Sequence, residues 1–176
     1  MRSSKSIWII LLTSTLLTAC GAYSFNGASI DYNKTKTLSV ANFFNDTAGG
    51  PPNMGQTFTE ELREYFQRNT KLELVPSKGD LQFEGAISSY TVRPQAVTSS
   101  GSRTQSDQSG LMRLSINVEV AFTDTTDEEK GFKRGFSFYA DYDPQRSTLT
   151  AVENDLVDEI FEQIIFDIFQ ASVAQW

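Results

Sequence analysis

The sequence contains no histidine and a single cysteine, Cys20. The first absence excludes Ser-His-Asp and Cys-His catalytic arrangements, and the two together exclude zinc sites built from histidine and cysteine. One thiol cannot close an intramolecular disulfide, even in a compartment that would permit one. No glycine-rich phosphate loop follows a strand-like segment. Positive charge is also scarce: 15 lysines and arginines stand against 22 acids, for a formal net charge of −7. That balance disfavours nucleic acid and anionic lipid as general partners unless the basic residues cluster. Neither an enzyme nor a bound metal or cofactor is expected from this inventory.

Long apolar runs are scarce too, and the one that exists lies at the start. Arg2 and Lys5 precede residues 7–17, an apolar stretch broken only by Thr13, Ser14 and Thr15. It is too short to span a bilayer as a permanent helix but suits the apolar region of a signal peptide. The stretch ends in Leu17-Thr18-Ala19-Cys20, the pattern of a lipobox. Thioether attachment of a diacylglycerol needs a thiol, and lipoprotein cleavage needs a small residue such as Ala19 before the cysteine. The expectation is that residues 1–19 are removed as a lipoprotein signal peptide and that Cys20 becomes the acylated N-terminus. The diacylglycerol on its thiol, with an acyl chain on its amine as well, gives the two or three chains that stable anchoring requires. Residues 20–34 then read as a short lead-in, and residues 35–176 as one domain.

Within that domain the hydrophobic pattern alternates between the two periods of regular structure. Residues 35–44 are strand-like, and residues 45–53 are dense in turn formers. Phe58, Leu62, Tyr65 and Phe66 recur at helical spacing, and Thr57 with Glu60 has the spacing of a capping box. A short strand at 72–75 follows. Residues 81–92 alternate at Leu81, Phe83, Gly85 and Ile87, then lose phase near Ser88 and Ser89, which predicts a bulge. Leu114, Ile116, Val118, Val120 and Phe122 face one way in the cleanest strand, opposite Arg113, Ser115, Asn117 and Glu119. Phe136, Phe138, Ala140 and Tyr142 share a face in the last strand. A second capping-box spacing, Thr150 with Glu153, opens the longest helix, with Asp155, Asp158 and Glu159 near its N-terminus. That helix carries two apolar rows, Leu156-Ile160-Ile164-Ile168 and Val157-Phe161-Ile165-Phe169. The order β-α-β-β-β-β-α predicts an α/β (α+β) two-layer sandwich. Its mixed four- to five-stranded sheet carries both helices on one face and leaves the other polar.

Candidate functional residues are few. Asp124, Asp127, Glu128 and Glu129 lack the spacing and glycine of a calcium loop and read as a charged turn. The acid pairs Glu60-Glu61 and Asp141-Asp143 read as solvated surface. Arg93 and Arg113 flank a Ser-rich loop, residues 94–110, that contains Arg103. Strand pairing across that loop would bring Arg93 and Arg113 to one end of the sheet. There, guanidinium groups could hold lipid phosphates or carboxylates, or merely solubilise the loop.

Several stretches, taken in order, carry a resemblance. They are Cys20-Gly21-Ala22-Tyr23-Ser24-Phe25, Gly27-Ala28-Ser29-Ile30, Gln56-Thr57-Phe58-Thr59-Glu60, Gly79-Asp80-Leu81-Gln82-Phe83-Glu84-Gly85, Tyr139-Ala140-Asp141, Ala151-Val152-Glu153 and Trp176. Together they resemble the LptE-type lipopolysaccharide-assembly lipoproteins over nearly the whole of residues 20–176. The resemblance implies a non-enzymatic plug and assembly subunit of the outer-membrane lipopolysaccharide translocon, with a large β-barrel (LptD) and lipopolysaccharide as partners. Residue-level lipid contacts do not carry over, because the 94–110 loop matches no part of the family pattern. A periplasmic activator of another envelope machine and a lipid-carrying module remain as alternatives. The residues after Cys20 resemble neither the aspartate signal for inner-membrane retention nor an acidic surface-export signal. They imply the periplasmic leaflet of the outer membrane.

Overall fold

A computed structural model describes residues 30–95 and 110–174. The expectations for the signal peptide, for Cys20 and for Arg103 therefore lie outside the described residues. Six strands and two α-helices form two layers. In chain order they are β1 (Thr37–Val40), β2 (Phe44–Asn45), α1 (Met54–Asn69), β3 (Glu73–Leu74), β4 (Leu81–Pro94), β5 (Met112–Asp124), β6 (Phe132–Tyr142) and α2 (Leu149–Ser172). The sheet runs β3-β1-β4-β5-β6, with β2 also paired to β4. Pairing is parallel among β1, β2, β3 and β4 and antiparallel from β4 through β6.

The sixth strand arises because the first strand-like segment is interrupted. Between β1 and β2 the backbone turns Phe43 into the core, where its N–H donates to Thr59 Oγ1 at 2.9 Å. Arg63 of α1 donates to Val40 O at 2.6 Å and to Asn42 Oδ1 at 3.1 Å, holding the break closed. Gly85 lies beneath: a Cβ there would stand 2.6 Å from the Phe43 ring. The phase loss at Ser88 and Ser89 is a register shift between Ile87 and Ser89 in the β4–β5 ladder. Pairing in that hairpin continues to Pro94 opposite Met112.

Both helices start earlier than the capping-box spacings indicate. α1 begins at Met54 after Asn53, and α2 at Leu149 after Thr148, and neither preceding residue makes a side-chain cap bond. Thr57 is already helical, with its N–H donating to Asn53 O at 2.9 Å. Buried Met54 fixes the start of α1 by packing rather than by capping. Glu153 is used across the layers, accepting the Tyr90 hydroxyl of β4. No acid falls in the first turn of α2, so Asp155, Asp158 and Glu159 lie beyond the positive end of its dipole.

All eight residues of the two α2 rows are buried. The helices share the sheet face formed by Leu81, Phe83, Ile87, Leu114, Ile116, Val118, Val120 and Phe122. Replacing Ile164 with aspartate would bury an unpaired charge where both rows meet, at a cost of several kcal/mol. The Ile164→Asp variant is expected to aggregate or to lose its cooperative thermal transition. A melt matching the parent would mean that this face is open.

Glu61, expected at the surface, is half-buried where α1 meets α2. Its pKa is pushed up to about 7, first by burial and then by Asp158, Glu64 and Glu162. A carboxyl raised in the fold contributes stability that is full below its unfolded value and disappears as pH rises through the folded one. Parent thermal stability should therefore fall between pH 4.5 and about 7 through this group. Glu61→Gln, which cannot ionise, should melt above the parent at mildly alkaline pH and converge with it in acid. Parallel pH profiles for the two proteins would refute the assignment.

Candidate functional site: the arginine end of the open sheet face

Alternation along β4, β5 and β6 sends every second side chain away from the helices, onto a face that neither helix covers. Ser115, Asn117, Glu119, Ser137, Tyr139 and Lys133 stand there, all at least partly exposed. Asn117 hydrogen-bonds Ser88 across the bulge, which keeps the β4 hydroxyl on this face. Gly135 leaves room beside it, since a Cβ would sit 2.9 Å from Glu119 Oε1 and 3.1 Å from Asn117 Oδ1.

At the loop end of this face the register aligns Arg93 of β4, Arg113 of β5 and Asp141 of β6 in one cross-strand row. Arg113 and Asp141 form a two-point fork, with Nε to Oδ1 and Nη2 to Oδ2 both at 2.7 Å. The guanidinium carbon also lies 3.5 Å from the centre of the Tyr139 ring. These contacts follow from the strand period. Tyr139 and Asp141 are two apart on β6, so both reach toward the Arg113 side chain on the neighbouring strand. The hydrogen bond to Asp141 raises the Arg113 pKa further and holds it charged. Arg93 is exposed and forms no ion pair among the described residues.

The structure thus brings Arg93 and Arg113 together and gives them different conditions. Arg113 is fixed by a carboxylate and an aromatic face, whereas Arg93 presents a guanidinium with its donors in water. Directly opposed like charges on paired strands repel, and Asp141 relieves that repulsion. Composition gave no sign of Asp141 and Tyr139 as partners. The available signal was the Tyr-x-Asp alternation facing an arginine on the preceding strand.

The other motif residues are structural. A Cβ at Gly79 would meet Ser39 N at 2.5 Å, so only glycine lets the β3–β4 turn cross β1 this closely. Asp80 Oδ2 accepts from the backbone N–H groups of Lys36 and Thr37 at 2.8 and 2.9 Å, and from Thr37 Oγ1 at 2.9 Å. Those bonds lower its pKa. Buried Thr59 joins α1 to the break before β2, accepting the Phe43 N–H at 2.9 Å while donating to Gly55 O of its own helix at 2.7 Å. Asp124 is likewise buried in its own turn, accepting from Thr126 N–H, Thr126 Oγ1 and Asp127 N–H. Among the described residues no group of three potential ligands could hold a metal ion.

A polar, helix-free sheet face that ends in a row of two arginines and an aspartate thus stands on one side of a two-layer α/β sandwich. Residues 35–172 match the family model of LptE, lipopolysaccharide-assembly. The chain belongs to the LptE family, and so to lipopolysaccharide assembly in the cell envelope. No curated protein matches its sequence. Among solved structures it is similar to the hypothetical protein CT253 from Chlamydia trachomatis, at 11% identity and TM-score 0.51, over 80% of this chain and 99% of that one. Protein XCC0632 from Xanthomonas campestris is similar at 12% identity and TM-score 0.52, over 81% and 83%. Rare lipoprotein B from Shewanella oneidensis aligns at 14% identity and TM-score 0.45, over 77% and 90%. Identities this low bear on the fold alone, and the first two likenesses agree with the sandwich described above.

Removal of Asp141 should expose the repulsion it relieves. Asp141→Ala is expected to lower the melting temperature at low ionic strength more than at high ionic strength, because salt screens the Arg93–Arg113 pair. A loss independent of salt would show that Asp141 acts through packing instead.

Proposed function

We propose that this chain is a non-enzymatic outer-membrane lipoprotein, anchored through Cys20 after removal of residues 1–19, that serves as the plug and assembly subunit of a lipopolysaccharide translocon. Its partners are then a large β-barrel of the LptD type and lipopolysaccharide itself. The family match across residues 35–172 is the observation that carries this reading. The open face supports it, since the lumen that such barrels present is polar and a polar sheet face can meet it without burying unpaired groups. No helix among the described residues is long and apolar enough to cross a membrane, and the proposed anchor does not require one. Arg93, Arg113 and Arg103 are the proposed contacts to lipopolysaccharide phosphates or to the barrel wall. Arg93 is the most available of the described pair, and Arg113 acts from its fixed position beside Tyr139.

Two measurements test this. Native protein extracted from outer membranes in detergent should bring a large β-barrel with it; recovery with a different envelope assembly would favour the alternative reading as an activator of another machine. The triple change Arg93→Ala, Arg103→Ala and Arg113→Ala should leave the domain folded, because none of the three belongs to an apolar row. It should weaken lipopolysaccharide capture or barrel association by more than tenfold, given about 1.5–3 kcal/mol for each charge-assisted contact. A folded triple variant with both activities intact would refute the site.

A further inference from the structure

The outer edge of β6 has no strand beside it. β6 ends the order β3-β1-β4-β5-β6, and β5 is its only strand partner among the described residues. Every second residue of β6 therefore points its N–H and C=O away from β5. The opposite edge of the sheet is β3, of two residues, whereas β6 offers 11. Folded proteins usually blunt so long an edge with proline, a bulge or several lysines. β6 has no proline, its ladder with β5 runs from Phe132 to Tyr142 without a register shift, and Lys133 is its one lysine. Its other cation, Arg134, is engaged with the rings of Phe132 and Phe136, at 4.8 and 4.7 Å from their centres. Nor does α2 close the edge: Arg134, Phe136 and Ser137 of β6 line an open groove with Asp167, Gln170 and Ala174 of α2.

The sequence of this edge is complementary to itself. Opposed residues of two antiparallel copies must share a face and a hydrogen-bonding direction, so the two-fold axis falls on a residue. Ser137 lies five residues from either end of β6, and an axis there pairs all 11 positions. On the open face that register sets Lys133 opposite Asp141 of the other copy, at both ends, and Gly135 opposite Tyr139. The small, exposed Ser137 meets itself. On the helix side it sets Phe132 opposite Tyr142, and Phe136 opposite Phe138. Opposite charges and aromatic pairs are the combinations that stabilise neighbouring antiparallel strands, and an aromatic ring shields a glycine on an edge. An axis at Phe136 or Phe138 instead shortens the overlap to nine residues and separates Lys133 from Asp141. Asp141 accepts from Arg113 on the β5 side and is exposed, so an ammonium group on its outer side adds a third donor.

We propose that this chain pairs with a second copy of itself through β6, antiparallel about Ser137, joining the two six-stranded sheets into one. The two open faces then lie on the same side of the joined sheet, with their arginine rows at opposite ends. The pairing needs only the folded domain and does not depend on the translocon reading. Charge near the seam is mixed. On the open face the adjacent strand β5 adds Glu119 and Arg113, one of each sign. On the helix side Arg134 shares its groove with Asp167, and Asp155 and Glu159 precede Asp167 at four-residue spacing along α2. Those acids repel their counterparts across the axis, which keeps the two copies of α2 apart and confines the contact to the strands.

Cysteine cross-linking reads the register. In residues 20–176 with Cys20→Ser and Ser137→Cys, the one thiol of each copy lies on the axis. Opposed Cα atoms of antiparallel strands are about 4.5–5.5 Å apart, within disulfide reach. Mild oxidation should therefore give a covalent dimer. With Lys133→Cys in place of Ser137→Cys, the two thiols stand about 27 Å apart along the strands and should stay free. Equal cross-linking at both positions would overturn the register. Sedimentation of the Cys20→Ser chain should show a reversible monomer–dimer equilibrium. Ser137→Lys, which opposes two ammonium groups at the axis, should raise the dissociation constant several-fold and leave the thermal melt of the dilute chain unchanged. A dimer indifferent to Ser137→Lys would overturn the proposal, and so would a chain that is monomeric at every concentration. In the monomeric case, hydrogen exchange at the outward amides of β6 tells which rival holds: protection means that the chain covers its own edge, and free exchange means that the edge stays open to a different protein.

Discussion

Both helices bury their apolar stripes on the same face of one sheet, and the rest of the architecture follows from that one-sided burial. The phenylalanines that accomplish it form a nearly continuous series of ring contacts. Phe43 meets Phe58 at 5.0 Å, and Phe58 meets Phe161 at 4.9 Å, joining the β1–β2 break, α1 and α2. Phe169 contacts Phe66 at 5.2 Å, and Phe66 contacts Phe83, which stacks on Phe122 at 4.8 Å. The series reaches the edge strand through Phe132 and Phe136. Because the apolar surface is gathered on one side, the opposite side of the same strands is free to carry serine, asparagine and charge.

That segregation also separates folding residues from surface residues within single motifs. Gly79 and Asp80 organise the crossing of β1 by the chain that leads into β4, and Thr59 clasps α1 to the segment before β2. Their presence in a family pattern reflects backbone geometry. Tyr139 and Asp141 belong to a different category, since they spend their contacts on an arginine of the open face.

Much of this order was legible in the sequence. Strict alternation in β4, β5 and β6 revealed their buried faces, the phase loss at Ser88 and Ser89 revealed the bulge, and the double row revealed α2. The failures share a physical cause. Capping-box spacing is a local signal, and tertiary packing of Met54 and the use of Glu153 by Tyr90 overrode it. The break before Phe43 depends on Thr59 and Arg63, which are distant in sequence. Glu61 looked solvated because its neighbours across the helix seam, Asp158 and Glu162, come from the far end of the chain. At the arginine end, pairing of Arg93 with Arg113 could be anticipated from the hairpin, whereas the Asp141 fork required the third strand.

The strands of the central hairpin far outrun the parallel ones: β5 has 13 residues, while β1 has four. At about 3.4 Å per residue β5 measures roughly 41 Å from Asp124 to Met112. Paired on both sides and backed by α2, it works as a rigid yardstick, setting a fixed offset between the end where the lead-in enters and the end where the arginines stand. The offset exceeds the apolar band of an outer-membrane barrel, about 25 Å tall. Under the proposed role as a barrel plug, a ruler of that length would span such a wall from rim to rim without any change in the domain's own shape.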